Sequence, residues 1–183
     1  KGQMEDQNFL YSIEQALSKN EFSKTGYSFT GWNTDKSGNG IAYADEEKVL
    51  NLTAENGGTV TLYAQWAVNK YKVTFDANGG EPVSETKTLD YGSEYGNLPT
   101  TTREGYTFLG WFTAAEGGQQ IGVDVKTVRI AEDHKLYAHW EKKTYTVIFD
   151  PNGGEVKPTS KTVTFDDAYG DLPTPTRAHH TFN

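Results

Sequence analysis

The chain has 183 residues, a net charge of −8, no cysteine and 13% aromatic residues. That acidic balance argues against nucleic acid or a membrane phosphate surface as partner, and the missing cysteines exclude disulfide stapling. No apolar run is long enough to span a bilayer, so membrane insertion is not expected of this segment.

Taken in chain order, the first predicted element is a short helix over "SIEQALSKN", 12–20. Ser12 and Gln15 have capping-box spacing. Leu10, Ile13 and Leu17 would share one helical face. "GYSFTGW" (26–32) then reads as a strand, followed by an irregular loop and a closing strand at "LYAQW" (62–66). After the joint "AVNK" (67–70), "YKVTFD" alternates strictly: Tyr71, Val73 and Phe75 face one way, Lys72, Thr74 and Asp76 the other. Asn78-Gly79 signals a tight hairpin turn, because a type I′ turn needs positive φ at both central residues. A second strand runs through Leu89 and Tyr91. "SEYGNLP" (93–99) is too short for more than a turn. In "GYTFLGW" (105–111), Tyr106 and Phe108 are expected on one side and Thr107, Leu109 and Trp111 on the other, the pattern of a central strand covered on both faces. Gly110 suggests a bulge. Residues 112–134 are irregular with a further strand expected at "VKTVRI", and "LYAHW" (136–140) closes the unit.

The same phrases return at a fixed interval. Tyr71 and Tyr145, Phe75 and Phe149, and Leu98-Pro99-Thr100 and Leu172-Pro173-Thr174 lie 74 residues apart. The chain is therefore a tandem array. Residues 1–66 form a first repeat without its opening strand, 70–140 a complete second repeat, and 144–183 the N-terminal part of a third. The expected class is mainly β (α+β), each module running strand, strand, short helix, strand, strand. A module this small buries only about 60% of its unfolded surface, so aromatic packing must supply much of its stability. Trp32, Trp66, Trp111, Trp140, Phe75, Phe108 and Phe149 are the expected core. The joints 67–70 and 141–144 are short and lack the Gly/Ser richness of flexible linkers, so limited bending is expected.

The ordered motifs Y-x-V-x-F-D-x-N-G-G, Y-G-x-L-P-T-x-T-R, G-Y-x-F-x-G-W and L-Y-A-x-W resemble the Listeria–Bacteroides repeat family, also called the internalin B-repeat family. The resemblance covers essentially the whole chain. It implies a β-grasp-like fold for each module, export to the bacterial cell surface or wall, and no catalytic residues or cofactor. The first repeat departs from the pattern by lacking L-P-T. The third has His179-His180 where the second has Gly105-Tyr106.

Few other residues suggest chemistry. "DKSGNGIAYADE" (35–46) has the spacing of a calcium loop, with Asp35, Ser37, Asn39, the Ile41 carbonyl and Glu46 as ligands. The entering segment reads as a strand rather than a helix, and the second repeat keeps only the glycines there, so a solvated loop is the favoured reading. His134, His139, His179 and His180 form no ligand set. Asp76 with Glu81, and Asp150 with Glu155, flank turns without a cleft. No nucleophile elbow, phosphate loop or zinc motif occurs. The expected function is a non-enzymatic, monomeric repeat segment of a bacterial surface protein. It acts as a semi-rigid spacer with adhesive touches to host or neighbouring-cell proteins or glycans. The alternative is a module that binds such a glycan or protein directly.

Overall fold

A computed structural model of the chain describes residues 1–82 and 84–182. Its strands, in chain order, are β1 Gln15–Ala16, β2 Tyr27–Asn33, β3 Ala42–Tyr43, β4 Lys48–Val49, β5 Tyr63–Val68, β6 Lys70–Asp76, β7 Ser84–Asp90, β8 Tyr106–Phe112, β9 His134–Lys142, β10 Thr144–Ile148 and β11 Ser160–Thr164. They form the sheets β1-β4, β3-β2-β5, β7-β6-β9-β8 and β10-β11.

The expected helix is absent: the described residues are all-β, which corrects the α+β assignment. The reason lies in residues 10–17. Ser12 sits at φ 58, outside helical geometry. The Gln15 side-chain oxygen accepts the Leu10 amide at 2.7 Å instead of capping a helix. Gln15 and Ala16 pair with Val49 and Lys48, and the Leu17 amide donates to the Glu47 carbonyl at 2.9 Å. Extension buries Leu17 in a cluster with Trp32 and Val49. A helix of so few residues is marginal on its own, so this apolar burial decides the conformation. Leu10 and Ile13 are left 64% and 50% exposed. In the second repeat, 93–99 is a turn in which the Ser93 hydroxyl donates to the Asp90 carbonyl. Without a helix to lay across the sheet, the β-grasp expectation falls with it.

Two further expectations are corrected. "VKTVRI" forms no named strand; Val125 and Thr127 make only isolated bridges, to Ile121 and Glu94. β8 is an edge strand, and its two faces are not both apolar. The β8–β9 register slips between Phe108 and Gly110. The extra residue at this bulge moves Trp111 onto the Phe108 side, with ring centroids 5.6 Å apart, and leaves Leu109 exposed. β2 repeats the slip between Phe29 and Gly31.

The Asn-Gly turn forms, but inside a longer connection. Asn78 and Gly79 both have positive φ, 48° and 92°, and the Gly80 amide closes the turn on the Ala77 carbonyl at 3.0 Å. β6 ends at Asp76 and β7 begins at Ser84, so the turn does not join the strands directly.

The chain divides into two compact units. The first is Lys1–Val73, Thr88–Tyr95 and Thr127–His134; the second is Thr74–Lys87, Gly96–Lys126 and Lys135–Asn183. In the first, Phe22, Phe29 and Leu62 pack against the Leu17–Trp32–Val49 cluster. In the second, Phe75 lies 5.1 Å from Trp111 and Phe108 lies 5.3 Å from Trp140, centroid to centroid.

Candidate functional site

The repeated phrases bring residues together at two joints of the same design. At the first, one residue, Asn69, separates β5 from β6. Its amide donates to the Gly26 carbonyl and its carbonyl accepts the Tyr91 amide, both at 2.9 Å. The Tyr91 ring meets Tyr27 edge-on at 6.2 Å, and Lys24 Nζ lies 3.9 Å from the other partner of that pair, the Tyr27 ring. At the second joint one residue, Lys143, separates β9 from β10. Its amide donates to the Gly105 carbonyl and its carbonyl accepts the Phe165 amide, again at 2.9 Å. Phe165 meets Tyr106 at 5.8 Å, and the Arg103 guanidinium stacks over Tyr106 at 3.9 Å.

Each joint thus joins a Gly-Tyr corner to the strand-end aromatic of the repeat that follows. Edge-to-face aromatic pairs contribute about 0.5–1.5 kcal/mol beyond area burial. Ion pairs flank both joints: Lys70–Asp90 at 2.5 Å and Lys142–Asp167 at 2.6 Å. The hydrogen bond to Asp167 holds the Lys142 ammonium above its ordinary pKa. Sequence reasoning passed over these residues. The available signal was that Tyr91 and Phe165 hold the same repeat position, and that a glycine precedes each tyrosine.

The remaining residues singled out from sequence fall as follows. Trp32 and Trp111 are buried, while Trp66 and Trp140 are half-buried. Phe75 is fully buried; Phe108 and Phe149 are half-buried. Trp111 Nε1 donates to the Pro99 carbonyl at 2.8 Å and Trp140 Nε1 to the Ala77 carbonyl at 2.9 Å. Trp32 Nε1 is buried with no partner among the described residues.

In the loop with calcium spacing, the candidate ligands bond within the loop. Asp35 accepts the Ser37 amide at 3.0 Å and the Ser37 hydroxyl at 2.8 Å, and these bonds lower its pKa. Asn39 donates to Ser37. The Ile41 carbonyl accepts the Thr34 amide at 3.0 Å. Glu46 lies in the following turn at φ 57. The organiser is Asn33, which sequence reasoning missed. Its buried side chain accepts the Asp35 and Gly40 amides and donates to the Gly38 carbonyl. Among the described residues no group of three or more His, Cys, Asp or Glu could hold a metal.

The turn carboxylates also act locally. Asp76 accepts the Asn78 amide and Asp150 the Asn152 amide, while Glu81 and Glu155 bridge to Thr102 and Thr176 through paired backbone bonds. His139 stacks on Phe112 at 3.9 Å with Nε2 on the Ala114 carbonyl. His134 lies between the Glu132 carbonyl and the Tyr95 hydroxyl. His179 and His180 are exposed.

The family described as the Listeria-Bacteroides repeat domain matches residues 1–65, 71–139 and 145–183. A protein of Evansella cellulosilytica named as a Gly-rich membrane protein is 40% identical over 151 residues, covering 78% of this chain and 17% of that protein. A second protein of the same organism, named as a membrane protein, is 40% identical over 131 residues, 72% of this chain and 18% of its own length. Internalin H of Listeria monocytogenes is 34% identical over 143 residues, 78% of this chain and 23% of its own length. The chain spans about a fifth of each of these relatives.

Proposed function

The chain belongs to the Listeria-Bacteroides repeat domain family, and on that premise we propose that it is a non-enzymatic repeat segment of a protein of the bacterial cell surface, working as a semi-rigid spacer. The names of its relatives, membrane proteins and an internalin, support an envelope or surface setting. The observation that carries the spacer reading is the joint. One residue links successive repeats, and each joint adds two backbone hydrogen bonds and an aromatic pair, with the Lys142–Asp167 ion pair added at the second. A flexible linker would show none of these. The repeats hold a recognition domain away from the cell, and adhesive touches to host or neighbouring-cell molecules are secondary. Direct grasp of a glycan or protein draws no support from Trp32 and Trp111, which are buried, and Trp66 and Trp140 are half-buried.

The absence of cysteine makes the test clean. Lys36 and Lys157 are exposed in the first and third repeats. Spin labels on Lys36→Cys and Lys157→Cys should give a single narrow distance distribution by pulsed electron resonance. A broad distribution, such as a Gly/Ser-linked pair gives, would overturn the spacer reading.

A further inference from the structure

We propose that the Gly-Tyr corner of each repeat is a docking surface for one partner, the next repeat of the same kind, and that His179-His180 marks a repeat whose corner cannot dock one. The coupling stands on the joint geometry alone; only its consequence for stiffness rests on the spacer reading.

The two working corners are built around a missing side chain. A Cβ added at Gly26 would lie 2.1 Å from Tyr91 Cγ, and one added at Gly105 would lie 2.2 Å from Phe165 Cδ1. Real Cβ atoms do not approach a ring so closely. Both glycines have positive φ, 77° and 72°, a left-handed conformation that glycine adopts without steric cost. The incoming ring therefore occupies the volume where any other residue would place its side chain. This explains why the phrase begins with glycine in both.

The third repeat keeps the backbone and loses the space. His179, at the Gly105 position, has φ 61, so its Cβ projects as the added Cβ would at Gly26 and Gly105. His180 stands in place of Tyr106, the ring against which the incoming aromatic packs edge-on. One substitution fills the socket and the other shrinks its wall from a phenol to a smaller imidazole. A repeat following this corner is not clasped as the second and third are, so the coupling along the array is interrupted there. The pair works as a programmed hinge or boundary.

Transplanting the third corner into the second tests this in the full chain. The Gly105→His variant should speed amide hydrogen exchange at Lys143 and Phe165, the two joint donors, at least tenfold. The Ile121 amide, bonded to the Trp111 carbonyl, should stay within about twofold and so report an intact module. Unchanged exchange at Lys143 and Phe165 overturns the proposal. If Gly105→His does not fold, the milder cycle of Gly105→Ala, Phe165→Ala and the double variant decides. With the ring present, Gly105→Ala should speed joint exchange several-fold. With Phe165→Ala already in place it should add less than twofold. Equal effects in both backgrounds would show that the glycine serves only its own turn, and would sink the docking surface. This readout is local, so the array could still prove bent in the spin-label experiment without touching it.

Discussion

The first and second repeats use the same strand pair, with the same glycine at the same bulge, and reach different cores. In the second, Phe75, Leu136 and Ala138 are fully buried; in the first, the most buried apolar residue, Val49, keeps 5% exposure. The difference comes from what surrounds the shared pair. The second repeat's pair lies in a four-stranded sheet with β6 and β7, whereas the first has a three-stranded sheet and the separate two-residue strands β1 and β4. The strand pair supplies the aromatics, and the remaining strands determine how completely they are sealed.

The largest expected effect separates the two cores. Phe75→Ala removes a fully buried ring and should cost about 3–5 kcal/mol. Phe29→Ala, at a half-buried ring of the first repeat, should cost clearly less. Denaturant unfolding with exchange read separately in each repeat would measure both. Equal losses would mean that the cores are equally sealed.

The tryptophan that follows each bulge sharpens the contrast. Trp111 donates to Pro99 of the L-P-T motif; the first repeat lacks that motif, and Trp32 Nε1 has no acceptor among the described residues. Trp111→Phe should therefore be more destabilising than Trp32→Phe by about 1–3 kcal/mol, the cost of a buried polar group left unpaired. The comparison fails if the two variants lose the same stability.

The residue after each tryptophan differs between the repeats. Asn33 organises the next loop with side-chain hydrogen bonds, whereas Phe112 stacks on His139 and the following loop closes through Thr113 and Gln119. Asn33→Ala should cost about 1–3 kcal/mol and speed exchange at Asp35 and Gly40, whose amides bond to its side chain. Exchange at both sites unchanged would show that the loop holds itself.

What could be read from the sequence followed local rules. Alternation at 71–76 gives β6, and Asn78-Gly79 gives the positive-φ turn, because side-chain period and glycine tolerance are properties of neighbouring residues. The helix at 12–20 was misread because its apolar spacing also suits an extended segment that buries Leu17 alone, and pairing with β4 lies more than thirty residues away. The two-sided reading of β8 failed because one inserted residue at a bulge inverts the faces beyond it. The joints were legible only as repetition. That Gly26 must lack a side chain follows from Tyr91, a residue of the next repeat.

The smallest effect compares the second repeat with the third. Tyr95 is buried, 3% exposed, while its counterpart Tyr169 is 58% exposed. Burial raises the Tyr95 pKa above the ordinary 10.0, because the anion is disfavoured away from water. The unfolded chain therefore ionises this tyrosine first as pH rises. Below pH 10 both states hold the proton and Tyr95 adds no pH dependence. Above pH 10 the unfolded state gains from ionisation that the folded state resists, so stability falls until the folded group titrates too. The loss in Tyr95→Phe should accordingly be shallower above pH 10 than in the parent. Unfolding measured from pH 8 to pH 11 decides: identical slopes for the parent and Tyr95→Phe would show that water reaches the Tyr95 hydroxyl, and that the second repeat is sealed less tightly than its packing implies.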